Sequence, residues 1–110
     1  MDKKMITTSI NLEGYKITET MGVVRGITVR SRSIVGNFVG GLQTILGGNI
    51  SIYKNLCEQT RLDAFDEMME HADQMGANAI INMRYDANEI MNGVTEVLAY
   101  GTAVKVVKAF

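Results

Sequence analysis

The sequence contains no proline, no tryptophan, one cysteine (Cys57) and one histidine (His71) in 110 residues. A lone cysteine excludes an intrachain disulfide framework and the cysteine-rich zinc sites. Without proline, the 11 glycines carry most of the turn punctuation. No window holds about 18 apolar residues in a row, so no helix is expected to span a bilayer. The start, Met1-Asp2-Lys3-Lys4, is charged, but Thr7, Thr8, Ser9, Asn11 and Glu13 interrupt the stretch that follows, unlike the apolar run of a signal peptide. The expected location is the cytoplasm, which suits a reduced thiol. Lysine plus arginine is 11 against 12 acidic residues, a net charge of −1, which argues against binding nucleic acid by neutralising phosphates. Hydrophobic residues at 46% and charged residues at 21% describe a globular chain. The length suits one domain, residues 1–110, that buries roughly two-thirds of its unfolded surface.

Glu13-Gly14 precedes a long β-branched run. Tyr15, Ile17, Glu19, Met21 and Val23 alternate with Lys16, Thr18, Thr20 and Val24, the period of a strand. Gly22 and Gly26 interrupt it, and each predicts a bulge or a close backbone approach. From Ser33, a plausible N-cap, Ile34, Val35, Phe38, Val39, Leu42, Ile45 and Leu46 follow at the spacing of one helix face, and Gly47-Gly48 ends the pattern. The opposite face carries Gly36, Asn37, Gly40, Gly41, Gln43 and Thr44. No charged residue lies between Arg32 and Lys54. A glycine costs a solvated helix about 1 kcal/mol relative to alanine, so this face is expected to meet another copy of the chain. A second helix is expected from about Ser51 to Met75, its apolar face formed by Tyr53, Cys57, Ala64, Phe65, Met68, Ala72 and Met75, with Gly76 closing it.

Two strands complete the pattern. The first runs from Ala79 to Tyr85, followed by a polar connection from Asp86 to Gly93; the second runs from Val94 or Thr95 to Val107. The order predicts an α+β fold, a two-layer β-α-α-β-β sandwich with helices on one face of a mixed three-stranded sheet. A right-handed crossover leaves a gap for the last strand, giving sheet order 1-3-2.

The pieces Thr7-Thr8, Glu13-Gly14-Tyr15-Lys16-Ile17 and Gly22-Val23-Val24-Arg25-Gly26 occur in order. Gly47-Gly48, Tyr53, Arg61, Gly76-Ala77-Asn78-Ala79 and Gly101-Thr102-Ala103-Val104 follow them. Together they resemble the YbjQ-like family of small, uncharacterised bacterial proteins. The resemblance implies a fold related to dodecin-like subunits and a ring-shaped homo-oligomer, a pentamer. The family carries a heavy-metal-binding label, with no established activity and no ligand set to transfer.

The residues themselves offer little chemistry. A soft-metal site needs thiolate, thioether or imidazole donors converging on one ion. Met68, His71 and Met75 stand at i, i+3 and i+7, but methionine at helical spacing is the usual filler of a core. Cys57 is eleven residues before Met68, roughly 16 Å along a helix, so it cannot share an ion with Met68 within one chain. Cys57 and His71, the one Cys/His pair, are roughly 21 Å apart on the same helix, too far for nucleophile and base. Cys57 is therefore expected to be a small buried apolar residue. Gly22 to Gly26 lacks the G-x-G-x-x-G spacing, and no GK[ST] occurs. Arg25, Arg30 and Arg32 near that bend could meet a small anion. Arg61 falls on the apolar helix face, which predicts a buried guanidinium paired with a carboxylate: Glu58, Glu19, Glu96 or one from another subunit. Arg61, Arg25 and Tyr15 are the candidates to line a ligand pocket. No catalytic constellation and no cofactor is indicated. The composition and the uncharged helix favour a non-enzymatic, homo-oligomeric binding or scaffold protein, with metal binding or an inter-subunit active site as alternatives.

Overall fold

The computed structural model describes residues 1–31 and 50–110, the side chains of residues 50–53 excepted. The expected first helix, and with it Gly36, Asn37, Gly40, Gly41 and Thr44, lies outside the described residues. The elements are β1 (Tyr15–Ser31), α1 (Ile50–Gln74), β2 (Ala79–Met91) and β3 (Val94–Lys108), after a short 3-10 turn at Lys3–Met5.

The strands form one sheet in the order β1-β3-β2. Both neighbouring pairs are antiparallel, so β1 and β2 run in the same direction on either side of β3. The expected order holds, but the sheet is mixed only through Ile6, which makes a parallel bridge to Ile80. That bridge belongs to an N-terminal strap: Thr7 N–H donates to Ile80 O at 3.0 Å and Asn82 N–H to Ser9 O at 2.8 Å. The strap covers the outer edge of β2 as far as Met83, whose N–H donates to Thr7 O. Beyond it, Arg84 Nη1 reaches back to Thr8 O at 2.8 Å.

The two glycines of β1 act as the sequence suggests. Register shifts fall between Ile17 and Glu19 and between Thr20 and Gly22, where Gly22 takes φ 133. These shifts break the simple alternation expected from Tyr15 to Val23. Tyr15 and Ile17 pack on one face, Glu19 is exposed, and past Gly22 the buried positions become Val24, Gly26 and Thr28, leaving Val23 71% exposed. At Gly26 the helix backbone comes so close that an added Cβ would collide with Ala64 O and Met68 N.

Helix α1 lies over β1 and β3 and buries Thr60, Ala64, Met68 and Ala72. These residues sit four apart, one stripe of the helix, and the alanines let it approach the sheet. The helix ends in a Schellman motif. Gly76 takes φ 83, Ala77 N–H donates to Ala72 O at 3.1 Å and Gly76 N–H to Asp73 O at 3.0 Å. Just beyond, Asn78 clamps the central strand: its Oδ1 accepts from Val106 N–H at 2.8 Å and its Nδ2 donates to Val106 O at 2.9 Å.

The main core joins the helix to Val24, Ile80, Met83, Ala99 and Ala103 of the sheet. The opposite sheet face is not bare, as helices on one face alone would leave it. Ala79, Val104 and Val106 form a second cluster there, covered by Met5 and Leu12 from the N-terminal segment and by Tyr15 and Ile17. The main core spans the middle of the sheet, and the second cluster lies toward the end where β3 finishes. The Asp86 to Met91 stretch, expected as a connection, instead continues β2, with every residue exposed.

Candidate functional site

The first half of α1 and the far ends of the strands flank a cleft. Leu56, Thr60 and Cys57 come from the helix; Ala87, Thr95 and Val97 come from β2 and β3. Its volume is about 290 Å³. A second hollow of about 400 Å³ adjoins it, bordered by Lys54, Glu58, Leu62 and Tyr85. Cys57 and Arg61 line both.

Two expectations are corrected here. Cys57 is exposed, not buried. Arg61 is also exposed, and no described carboxylate pairs with it; its guanidinium lies over the ring of Tyr85, 5.4 Å from the centroid. The reason is common to both. Reading α1 as one apolar stripe assumes that sheet underlies its whole length. Among the described side chains the buried stripe is Thr60, Ala64, Met68 and Ala72; Cys57 lies in the turn before it and Arg61 one step to its side, and both line the cleft. Arg61 then meets the face of an aromatic ring, which attracts a cation. Tyr85 was not among the candidate residues. A strand expected to end at Tyr85 hid its place on a longer β2.

Arg30, at the cleft's other border, is already paired: its Nη2 is 3.0 Å from Asp63 Oδ2, and Gln59 Nε2 donates to Asp63 Oδ1 at 2.8 Å. Burial pushes the Tyr85 phenol above its ordinary value of 10, Arg61 pulls it down, and Asp66 and Glu58 push it up. Below pH 10 the phenol is protonated in folded and unfolded chains alike. Above pH 10 the unfolded chain loses the proton first, so this group's contribution to stability is intact below 10 and lost as pH rises through the folded value. Arg61→Met removes the charge that pulls the phenol down. The absorbance step of the Tyr85 phenolate, isolated by difference from Tyr85→Phe, is expected at higher pH in Arg61→Met than in the unaltered protein. An unchanged or lower midpoint would contradict the ring contact.

The three pocket candidates do not come together. Arg25 is on β1, the sheet edge opposite Tyr85, and borders a separate hollow with Ile27, Glu67, Glu70, His71 and Gln74. Its backbone N–H donates to His71 Nδ1 at 3.2 Å. Tyr15 packs in the second core cluster, ten residues along β1 from Arg25.

The soft-metal candidates are likewise apart. Met68 is fully buried, Met75 is half-buried against the same core, and His71 Nδ1 is engaged by Arg25. Cys57 opens onto the cleft, about three turns up the helix from Met68. Among the described residues, no three His, Cys, Asp or Glu side chains converge as metal ligands, and residues 32–49 contain none of these types and no methionine. Among the described residues, Cys57, His71, Met68 and Met75 do not converge on one point as a heavy-metal centre would need. No helix among the described residues is long and apolar enough to cross a membrane.

A family model described as "Putative heavy-metal-binding" matches residues 4–107. A UPF0145 protein of Solibacter usitatus is 65% identical over 106 residues, covering 96% of this chain and 95% of its own length. Relatives of the same name from Chromobacterium violaceum and Burkholderia thailandensis are 62% and 60% identical, over 93% and 98% of this chain and 87% and 97% of their own. Among solved structures, a DUF74-family protein of unknown function from Pediococcus pentosaceus shares the fold, with TM-score 0.60 at 20% identity over 93% of this chain and 96% of its own. With the family model matching residues 4–107 and these UPF0145 relatives 60–65% identical over most of their length, the chain belongs to the UPF0145, or YbjQ-like, family.

Proposed function

We propose that the protein is a non-enzymatic binding or scaffold protein that works in the cytoplasm as a homo-oligomer, without a nucleic-acid partner. The observation that carries this reading is the uncovered far end of the sheet. From Arg84 to Met91 every residue of β2 is exposed, including Tyr85 at 40%, Ile90 at 55% and Met91 at 64%. The outer edge of this stretch lies beyond the N-terminal strap. An exposed edge with large apolar side chains invites pairing with another chain. The radius of gyration is 17.0 Å, against about 13 Å for a compact chain of this length. A second copy is the occupant that also suits the uncharged, glycine-rich sequence from Ser33 to Leu46. The family resemblance supports a ring of five.

Sedimentation velocity at tens of micromolar tests the proposal. The unaltered protein is expected to run as one discrete oligomer. Gly40→Glu, which puts a charge on the glycine face, and Ile90→Lys, at the sheet's far end, should each dissociate it. A monomeric unaltered protein overturns the reading. Metal binding is the alternative, and native mass spectrometry after titration with copper(I), silver or zinc tests it.

A further inference from the structure

We infer that the cleft at Arg61 binds a small amphipathic monocarboxylate, its carboxylate on Arg61 and its apolar body between α1 and the β2–β3 hairpin. This deepens the binding half of the function proposed above and rests on it, but not on the oligomer.

The cleft has two chemically distinct parts. The inner part is walled by Leu56, Ala87 and Val97, with Thr60 at its base. The Thr60 hydroxyl is already spent on Leu56 O at 2.8 Å, so it asks nothing of a ligand. The outer part holds Lys54, Arg61, Glu58 and the Tyr85 ring. The Arg61 guanidinium lies over the face of Tyr85, and among the described residues its N–H donors have no hydrogen-bond partner. A planar guanidinium suits the two oxygens of a carboxylate.

Charge decides between anions. Arg30 at the inner border is neutralised by Asp63. Lys54 and Arg61 in the outer part are offset by Glu58 and by Asp66, which acts on Tyr85, so little positive charge is in excess there. That matches one carboxylate better than a phosphate ester carrying about two charges. Size decides the body. The inner volume of about 290 Å³ is at the small end for ligand sites, enough for a chain or ring of about six to ten carbons. Cys57, lining both parts, is the sole cysteine and reports on occupancy from within the cleft.

The test uses sodium octanoate as probe on the full chain, with octylammonium chloride as its charge-reversed control. Calorimetry is expected to show saturable octanoate binding, and octanoate should slow alkylation of Cys57 by iodoacetamide over the same concentration range. Arg61→Met keeps a long apolar stem without the charge, and should weaken octanoate binding by about ten- to hundredfold, the usual effect of losing hydrogen bonds to a charged group. Arg61→Lys should retain part of the affinity. Octylammonium should neither bind saturably nor protect Cys57. The inference is overturned by no saturable octanoate binding at millimolar concentration, by equal binding of octylammonium, or by unchanged affinity in Arg61→Met. It is also overturned if Cys57 is unreactive before any octanoate is added, because the assembly then closes the cleft. A monomeric protein that binds octanoate would defeat the oligomeric proposal and leave this one standing.

Discussion

Gly26→Ala is expected to destabilise the protein by about 3 kcal/mol, a fall in Tm of roughly 10–20 °C at fixed protein concentration. The added Cβ would meet three backbone atoms of α1: Ala64 O, Ala64 C at 2.9 Å and Met68 N at 2.5 Å. No side-chain rotation relieves a contact with backbone. The helix must retreat from β1, and the burial of Ala64 and Met68 is lost in part as it does. Gly14→Ala is the informative contrast. At Gly14 the added Cβ meets nothing within 4 Å, and the cost comes only from its φ of 82, about 1 kcal/mol. Urea melts of the two variants should differ clearly, and equal midpoints would show that α1 does not sit on Gly26.

Met68→Ala should cost about 2–5 kcal/mol. Met68 is fully buried and among the largest such side chains of the chain. It lies where the helix is pressed closest to β1, so the surrounding backbone has little freedom to fill the hole. The double variant Gly26→Ala, Met68→Ala provides a sharper check. If the Gly26 collision involved the Met68 side chain, removing that side chain would rescue the first substitution. The contact is with backbone atoms, so no rescue is expected. A double variant more stable than Gly26→Ala alone would contradict the packing. Met68→Ala should also leave any binding of soft metals unchanged, because its thioether is sealed in the core.

Much of the architecture was legible in the residues. The sheet order follows from a strand, a crossover and a hairpin, and it is observed. The helix expected from about Ser51 to Met75 spans Ile50–Gln74, because its end is written chemically in Gly76. Gly22 and Gly26 were each marked as a bulge or a close approach; a register shift falls at Gly22, and the helix backbone comes close at Gly26. What was not legible depends on distant partners. The Asp86 to Met91 stretch has the composition of a loop, yet it pairs with β3, Ala87 opposite Val97 and Asn88 opposite Glu96. Asn92-Gly93, with Gly93 at φ 79, joins the two strands and could have signalled a hairpin. The site suffered most from the same error. A helical wheel says neither where the sheet beneath a stripe stops nor which edge of the stripe meets it, so Cys57 and Arg61 were placed in the core. Asn78 belonged to a recognised run of residues, but its clamp on Val106 depends on a partner 28 residues away.

The central position of β3 has a consequence for the order of events on the ribosome. β1 and β2 do not touch as sheet neighbours; each pairs with β3, the last of the three to be synthesised. Until Val94 to Lys108 has emerged, β1 has no sheet neighbour, β2 has only the N-terminal strap, and α1 has only β1 beneath it. The ladder from Tyr15 and Lys108 to Ser31 and Val94 then closes the chain on itself across nearly its whole length. Such long-range pairing is slow and leaves apolar strands exposed while it waits. The sheet therefore forms late and as a unit, and a ribosome stalled before Val94 would display a largely unpaired precursor for chaperones to hold rather than a partly built domain.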